Sequence, residues 1–224
     1  MKKAIQGCLI IFAMLIFSSQ AYAAEGFRLG TGIGIAVPDF HGDVIDNSGN
    51  FSGLALDVID LGYGFTDAAS LNFRLGVGTS APMTIATLGF VGGWSFTEYA
   101  LDFRWAFLTD DAFNPFLMAG VGFSQFTYDS GLLTDIFGVD LEVKTDYTVG
   151  FDVGGGCDFH LGSKKRWALG AMFYYHFVSY QNVDVDVDSS NSIWNINLDV
   201  AVPDEKIDGG IAMFLFTVSY TWRE

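Results

Sequence analysis

The sequence predicts an all-β protein: an eight-stranded antiparallel transmembrane up-and-down β-barrel. Three observations predict it. Apolar residues recur with a period of two through most of the chain. The connections between these alternating segments are short and long by turns. Aromatic residues gather near both ends of the segments.

Composition narrows the classes first. Of 224 residues, 50% are hydrophobic, 16% aromatic and 17% charged, with a formal net charge of −15. Soluble domains carry roughly 25% charged residues. The chain is too apolar for disorder and too acidic to neutralise nucleic-acid phosphates, so no nucleic-acid partner is expected. Two cysteines are too few for a disulfide scaffold.

The chain opens with Met1-Lys2-Lys3, an apolar run from Cys8 to Phe17, and Ala21-Tyr22-Ala23. A basic start, an apolar stretch and a small-x-small site are the three parts of a secretory signal peptide. A membrane anchor is the rival reading, but that run is shorter than the ~20 residues a spanning helix needs. Residues 1–23 are therefore expected to be a cleaved signal and residues 24–224 a single barrel domain. Cys157 is then the sole cysteine of the mature chain. No stretch of about 18 uncharged apolar residues follows. A membrane position for this chain requires a closed barrel, the other fold that pairs every backbone group in lipid.

The strands follow in order. Phe27, Leu29, Thr31, Ile33, Ile35 and Val37 alternate with Arg28 and small residues. Phe51 to Tyr63 changes phase near Asp57 and Asp60, the signature of a bulge. Ala69 to Val77, Tyr99 to Phe107, Tyr147 to Leu161, Trp167 to Phe177 and Phe214 to Trp222 each put bulky residues on the odd or even face alone. Pro115 to Phe126 is apolar on both faces, with Gly120 and Gly122 inward. Segments of this length suit tilted transmembrane strands.

The short connections are 65–68, 108–114 and 162–165. The long ones are 38–50, about 80–96, 127–144 and 179–209. Spanning barrels have short periplasmic turns and longer external loops; a soluble sandwich has no reason to sort its loops this way. Phe27, Phe65, Trp105, Phe107, Phe159, Trp167 and Trp222 fall near the short-turn end. Phe96, Tyr99, Phe126, Tyr147, Tyr175 and Phe177 fall near the other. Two aromatic bands match two lipid–water interfaces. A soluble barrel core fails on size, because the bulky face cannot fit inside eight strands.

With its leader ending at Ala23, the segments Gly62–Gly78 (GYGFTDAASLNFRLGVG) and Asn114–Phe126 (NPFLMAGVGFSQF), and the terminal Phe214–Trp222 (FLFTVSYTW), the chain resembles the small eight-stranded outer-membrane barrels of the protein A and protein W groups. Arg223 and Glu224 depart from the pattern, since such barrels usually end on the aromatic residue. The resemblance implies a location in the outer membrane of a Gram-negative bacterium. It implies as partners the outer-membrane lipid, lipopolysaccharide and the barrel assembly machinery, with the chain a monomer.

Candidate chemistry is sparse. Arg28, Arg74, Glu98, Asp102, Arg104 and Asp152 fall on the small, inward faces. Opposite charges in a narrow lumen should pair, giving a salt-bridged plug in preference to a gated pore. Asp184, Asp186 and Asp188 alternate on one strand, but an EF-hand needs Gly where Ser189 stands and Glu where Asn195 stands. They are expected to be a solvated strand that pairs back through Ile193–Val200 and associates loosely with divalent ions at the lipopolysaccharide surface. None of His41, His160 and His176 is expected to have a nucleophile–base pair within hydrogen-bond reach, as covalent catalysis needs. Cys157 reads as a small lipid-facing side chain. Gly30-Thr31-Gly32-Ile33-Gly34 lies inside a strand, so it lacks the context of a phosphate loop. No catalytic residue, metal site or cofactor is expected. The expected role is structural or surface-interacting, with a largely plugged lumen. The alternatives are a narrow channel for small apolar or small polar solutes and, less favoured, a lipid-modifying enzyme.

Overall fold

The computed structural model describes residues 26–41, 46–48, 52–66, 68–80, 93–108, 112–129, 139–162, 165–189 and 197–222. The signal segment lies outside them. The described residues form ten strands: β1 Gly26–His41, β2 Asp46–Ser48, β3 Gly53–Gly64, β4 Ala69–Thr79, β5 Gly93–Ala106, β6 Phe113–Asp129, β7 Val139–Thr145, β8 Thr148–Leu161, β9 Trp167–Ser189 and β10 Asn197–Trp222. Eight of them form the wall, every neighbour antiparallel, in the order β10-β1-β3-β4-β5-β6-β8-β9. β10 pairs with both β9 and β1, so the sheet closes on itself. Closure leaves no open edge in lipid. The short β2 and β7 lie at the long-loop end, beside β1 and between β6 and β9.

Period two decides what each face meets. Phe216 is 62% exposed and Phe151 60%, and Ile33, Leu117, Phe123 and Phe173 share that outer face. So broad an apolar surface is stable only against lipid. The alternate positions turn inward and are buried. Val58 and Ile59 are both exposed, while Asp57 and Asp60 are both buried. The register shifts between Asp57 and Ile59. The phase change is thus a bulge that keeps both acids in the lumen.

The short turns are tied to their neighbours. Thr66 Oγ1 accepts from the amides of Ala68 and Ala69, at 3.2 and 3.0 Å. Gly162 has φ +75° and Lys165 φ +46°, and the Lys165 amide donates to the Gly162 carbonyl. Ala106, Phe107 and His160 donate backbone bonds across to Ala68, Pro115 and Ala112.

The long-loop end is more ordered than a loop reading suggests. β9 and β10 continue as one hairpin beyond the barrel, to the pair Asp188 and Asn197. Asp184, Asp186 and Asp188 pair with Ala201, Asp199 and Asn197 on one side, and with Lys144, Glu142 and Asp140 of β7 on the other. The three acids therefore sit in the middle strand of a projecting three-stranded sheet. Residues 193–196 of the expected return strand lie outside the described residues. Two aromatics assigned to the outer lipid band do not belong there. Phe96 and Phe126 are each 1% exposed and point into the lumen, because their pleat parity is that of Glu98 and Ser124.

Close strand approach also constrains side chains. A Cβ added to Gly34 would collide with the Phe214 carbonyl oxygen, whereas one added to Gly93 would find nothing closer than 3.5 Å. Gly34→Ala is expected to cost about 1–3 kcal/mol by overpacking. Gly93→Ala should be nearly neutral. Urea titration of refolded protein in lipid vesicles measures both; equal midpoints for the two variants would contradict the close approach of β1 and β10.

Candidate functional site: the charged lumen

The interior is filled in layers. Nearest the short turns lies a first ionic cluster. Arg104 of β5 pairs with Asp158 of β8, and its guanidinium carbon lies 3.2 Å from the centre of the Phe116 ring. Arg28 of β1 bridges Asp60 at 3.5 Å and Asp158 at 3.9 Å. An arginine over an aromatic face gains an attraction that water would otherwise screen.

The middle layer is built on Arg74 of β4. Its Nε donates to Asp102 Oδ2 at 3.0 Å. Its Nη1 and Nη2 fork onto Glu98 at 3.1 and 3.3 Å. Nη2 also donates to Asp152 Oδ2 at 3.0 Å. Asp57 Oδ1 lies 3.8 Å from Nη1, and the guanidinium stacks 3.8 Å from the Tyr174 ring centre. One planar fork thus ties β4 to β3, β5, β8 and β9. Glycine makes the space: Gly120 is the cross-strand partner of both Asp102 and Asp152. A Cβ there would collide with Asp102 Oδ1.

A second polar chain leaves the same cluster. His176 of β9 directs Nδ1 at Asp152 Oδ1, 2.7 Å away, and at Glu98 Oε1, 3.1 Å away. Two carboxylate acceptors require that Nδ1 carries the proton. Nε2 lies 2.8 Å from Ser124 Oγ, which in turn is 2.9 Å from the Tyr180 hydroxyl. The imidazole reaches Ser124 across the bare backbone of Gly150, where a Cβ would collide with Nε2.

This corrects the reading that none of the three histidines has a nucleophile–base pair within reach. Ser124, His176 and Asp152 have the hydrogen-bond order of a serine–histidine–acid triad. Sequence neighbours hide it, because Ser124 is two strands away and only the register through β8 joins it to His176. Ser124 and His176 are both 0% exposed. His41 lies elsewhere, exposed beside Asp39 at the long-loop end. Cys157 stays on the outer face of β8, half-buried.

Of the six charges singled out in sequence, Arg74, Glu98, Asp102 and Asp152 come together, and Arg28 and Arg104 form the separate lower cluster. Asp57, Asp60 and Asp158 belong to the same two clusters but are not among those six. Counting two residues through the bulge, instead of one, would put Asp57 and Asp60 inward together.

Above the ions lies an apolar layer. Phe40, Trp94, Phe96, Phe126, Tyr180, Ile207 and Ile211 are each 3% exposed or less and pack as one cluster. Phe40 contacts Phe126 at 4.7 Å and Tyr180 at 5.8 Å between ring centres. On the outer wall the β7–β8 junction at Asp146 and Tyr147 breaks the ladder. A groove of about 780 Å³ opens there, floored by Val149, Phe151 and Phe177 and topped by Ser179 and Gln181.

The family profile of the outer membrane protein beta-barrel domain matches residues 9–202. The chain belongs to this family. Members' architecture agrees with the closed wall described above. The chain resembles the outer membrane protein OprG from Pseudomonas aeruginosa, with a TM-score of 0.60 at 14% identity over 91% of this chain and 99% of that one. A major outer membrane protein from Thermus thermophilus gives 0.62 at 10% identity, over 88% and 98%. Neisserial surface protein A gives 0.54 at 14% identity, over 89% and 99%. No curated protein sequence matches significantly. The family and these folds place the protein in the outer membrane.

Arg74 is 2% exposed and faces four carboxylates. Removing one partner of a buried ion pair typically costs about 3–5 kcal/mol. Arg74→Ala is expected to lose at least that, while Arg28→Ala, whose ion pairs are longer and whose side chain is 13% exposed, should lose less. Thermal unfolding in detergent, read as loss of the fast-migrating folded band on a gel, orders the two variants. The reverse order would contradict the central place of Arg74.

Proposed function

We propose that this outer-membrane barrel is a closed, non-conducting and non-catalytic scaffold that presents its projecting sheet to the cell exterior. One observation carries the reading: side chains of the described residues occupy the lumen in successive layers. Two ionic clusters occupy its lower and middle parts, and the Phe40–Trp94–Phe96–Phe126 layer covers them. An eight-stranded interior is just wide enough for side chains to fill, and here they fill it. The same layer supports a non-enzymatic role. Ser124, His176 and Asp152 lie beneath it, so a lipid or peptide bond has no approach to the serine oxygen. The working surface is then the sheet of β7, β9 and β10, acidic in sequence, with Asp184 and Glu142 exposed. Its partners are lipopolysaccharide, reached through divalent ions, and basic surfaces.

A second reading has one observation in its favour. The groove beside Tyr147 interrupts the wall at the outer end, which suits a narrow path for small apolar solutes. Its inner boundary is Val178, which packs into the apolar layer.

Conductance and solute flux in planar bilayers separate the two. Folded wild-type protein is expected to be silent against a protein-free control. A Phe96→Ala/Phe126→Ala variant should stay silent as well, because the two ionic clusters still occupy the lumen beneath those rings. Reproducible wild-type conductance would favour the channel. Lipid analysis of cells with and without the protein tests the enzyme alternative: unchanged lipid A and phospholipids are expected.

A further inference from the structure

We propose that Glu98, Asp152 and His176 form a binding site for one divalent transition-metal ion of the zinc class, in the middle of the lumen. Donor geometry is the first support. His176 Nδ1, Asp152 Oδ1 and Glu98 Oε1 converge, with the nitrogen 2.7 and 3.1 Å from the two oxygens. Zinc bonds of about 2.0–2.2 Å in tetrahedral geometry separate donors by about 3.3 Å. The two nitrogen–oxygen distances therefore need to open by about 0.6 and 0.2 Å. The ion takes the place of the Nδ1 proton.

The surroundings are those of a prepared site. The remaining oxygens, Asp152 Oδ2 and Glu98 Oε2, are held by Arg74, so both carboxylates keep their orientation. Tyr174 donates its hydroxyl to Glu98 Oε2 at 3.2 Å. The far nitrogen of His176 is anchored on Ser124, which is anchored on Tyr180. Metal-bound histidines are characteristically held at their other nitrogen in this way, which fixes the ring.

Charge is the independent support. Arg74 is the sole guanidinium among four buried carboxylates: Asp57, Glu98, Asp102 and Asp152. Asp57 is 1% exposed, yet neither of its oxygens has a hydrogen-bond partner. Its Oδ1 and Glu98 Oε2 both face the bare backbone of Gly76, at 3.5 and 3.6 Å from where a Cβ would stand. Asp102 Oδ1 also lacks a hydrogen-bond partner. Buried carboxylate oxygens without hydrogen bonds are costly, and both acids share Arg74 as their counter-charge; a bound divalent ion adds positive charge beside it. A nitrogen donor selects zinc-like ions over magnesium or calcium. Below the site, Asp60, Asn72, Asp102, Arg74, Arg104 and two methionines line a cavity with room for about one water.

The test uses the full mature chain, refolded in lipid and stripped with chelator. Zinc is titrated calorimetrically with millimolar calcium and magnesium present to occupy oxygen-only sites on the external sheet. One zinc per chain is expected, together with a rise in unfolding temperature. Cobalt in place of zinc should give a visible absorption band. His176→Gln and Glu98→Gln should weaken zinc binding by at least about tenfold, the scale of lost ligand interactions in metal sites. His41→Gln/His160→Gln should leave it unchanged. Stoichiometric zinc binding that survives in His176→Gln overturns the proposal. So does the absence of both zinc heat and cobalt absorption in folded wild-type protein, a result that stands even if the lumen variants fail to fold.

Discussion

A single guanidinium organises the inside of this barrel. Arg74 can donate five hydrogen bonds in one plane. It directs them to acids from β5 and β8 while lying near an acid from β3 and flat against a tyrosine from β9. Other features of the lumen follow from seating that group. Gly120 leaves room for the two aspartates on either side of it. Tyr174 supplies both a ring for the cation and a hydroxyl for Glu98. The bulge in β3 delivers Asp57 inward without sending Asp60 into lipid. Because the barrel wall is closed, these partners cannot drift apart without breaking ladders on both sides.

Polar and apolar packing divide the length of the lumen between them. Toward the short turns the filling is ionic; toward the long loops it is aromatic and aliphatic. The division reverses the usual plan of a soluble domain, which keeps its oily residues at the centre and its charges outside. In lipid the outer wall must be apolar, so charge is driven to the axis, where it survives only if paired. The apolar layer then separates those pairs from the external medium. The buried His176 needs a partner at each nitrogen, and Asp152 and Ser124 on the neighbouring strands provide them.

Much of this is legible in the sequence because a barrel strand has one simple rule. The alternation of Phe27 to Val37, or of Phe214 to Trp222, fixes which face meets lipid, and the loop lengths fix which end is which. Inward charges such as Arg74 and Asp152 follow from parity alone. What parity does not give is register. Ser124 and His176 are 52 residues apart, and only the pairing of β6 with β8 and β8 with β9 brings them to the same height. Phe96 and Phe126 are misplaced when nearness to a strand end is weighed above pleat parity, although Glu98 and Ser124 beside them carry the answer. The hairpin beyond the barrel is hidden in another way. Its segments are rich in aspartate, which is poor in β propensity, and pairing to neighbours on both sides overrides that preference.

The route by which the wall closes has a consequence for the order of assembly. Arg74 and its partners all lie on β3 to β9, so the whole middle network joins segments that follow one another along the chain. The seam is different: Phe27 meets Trp222 and Arg28 meets Thr221, the most distant pairing in the barrel wall. Bringing such remote segments together carries the largest loop-closure entropy. The Arg74 network can therefore assemble on a curved open sheet before the first and last strands meet. Closing that seam then brings Arg28 and Phe40 of β1 and Ile207 and Ile211 of β10 into one lumen.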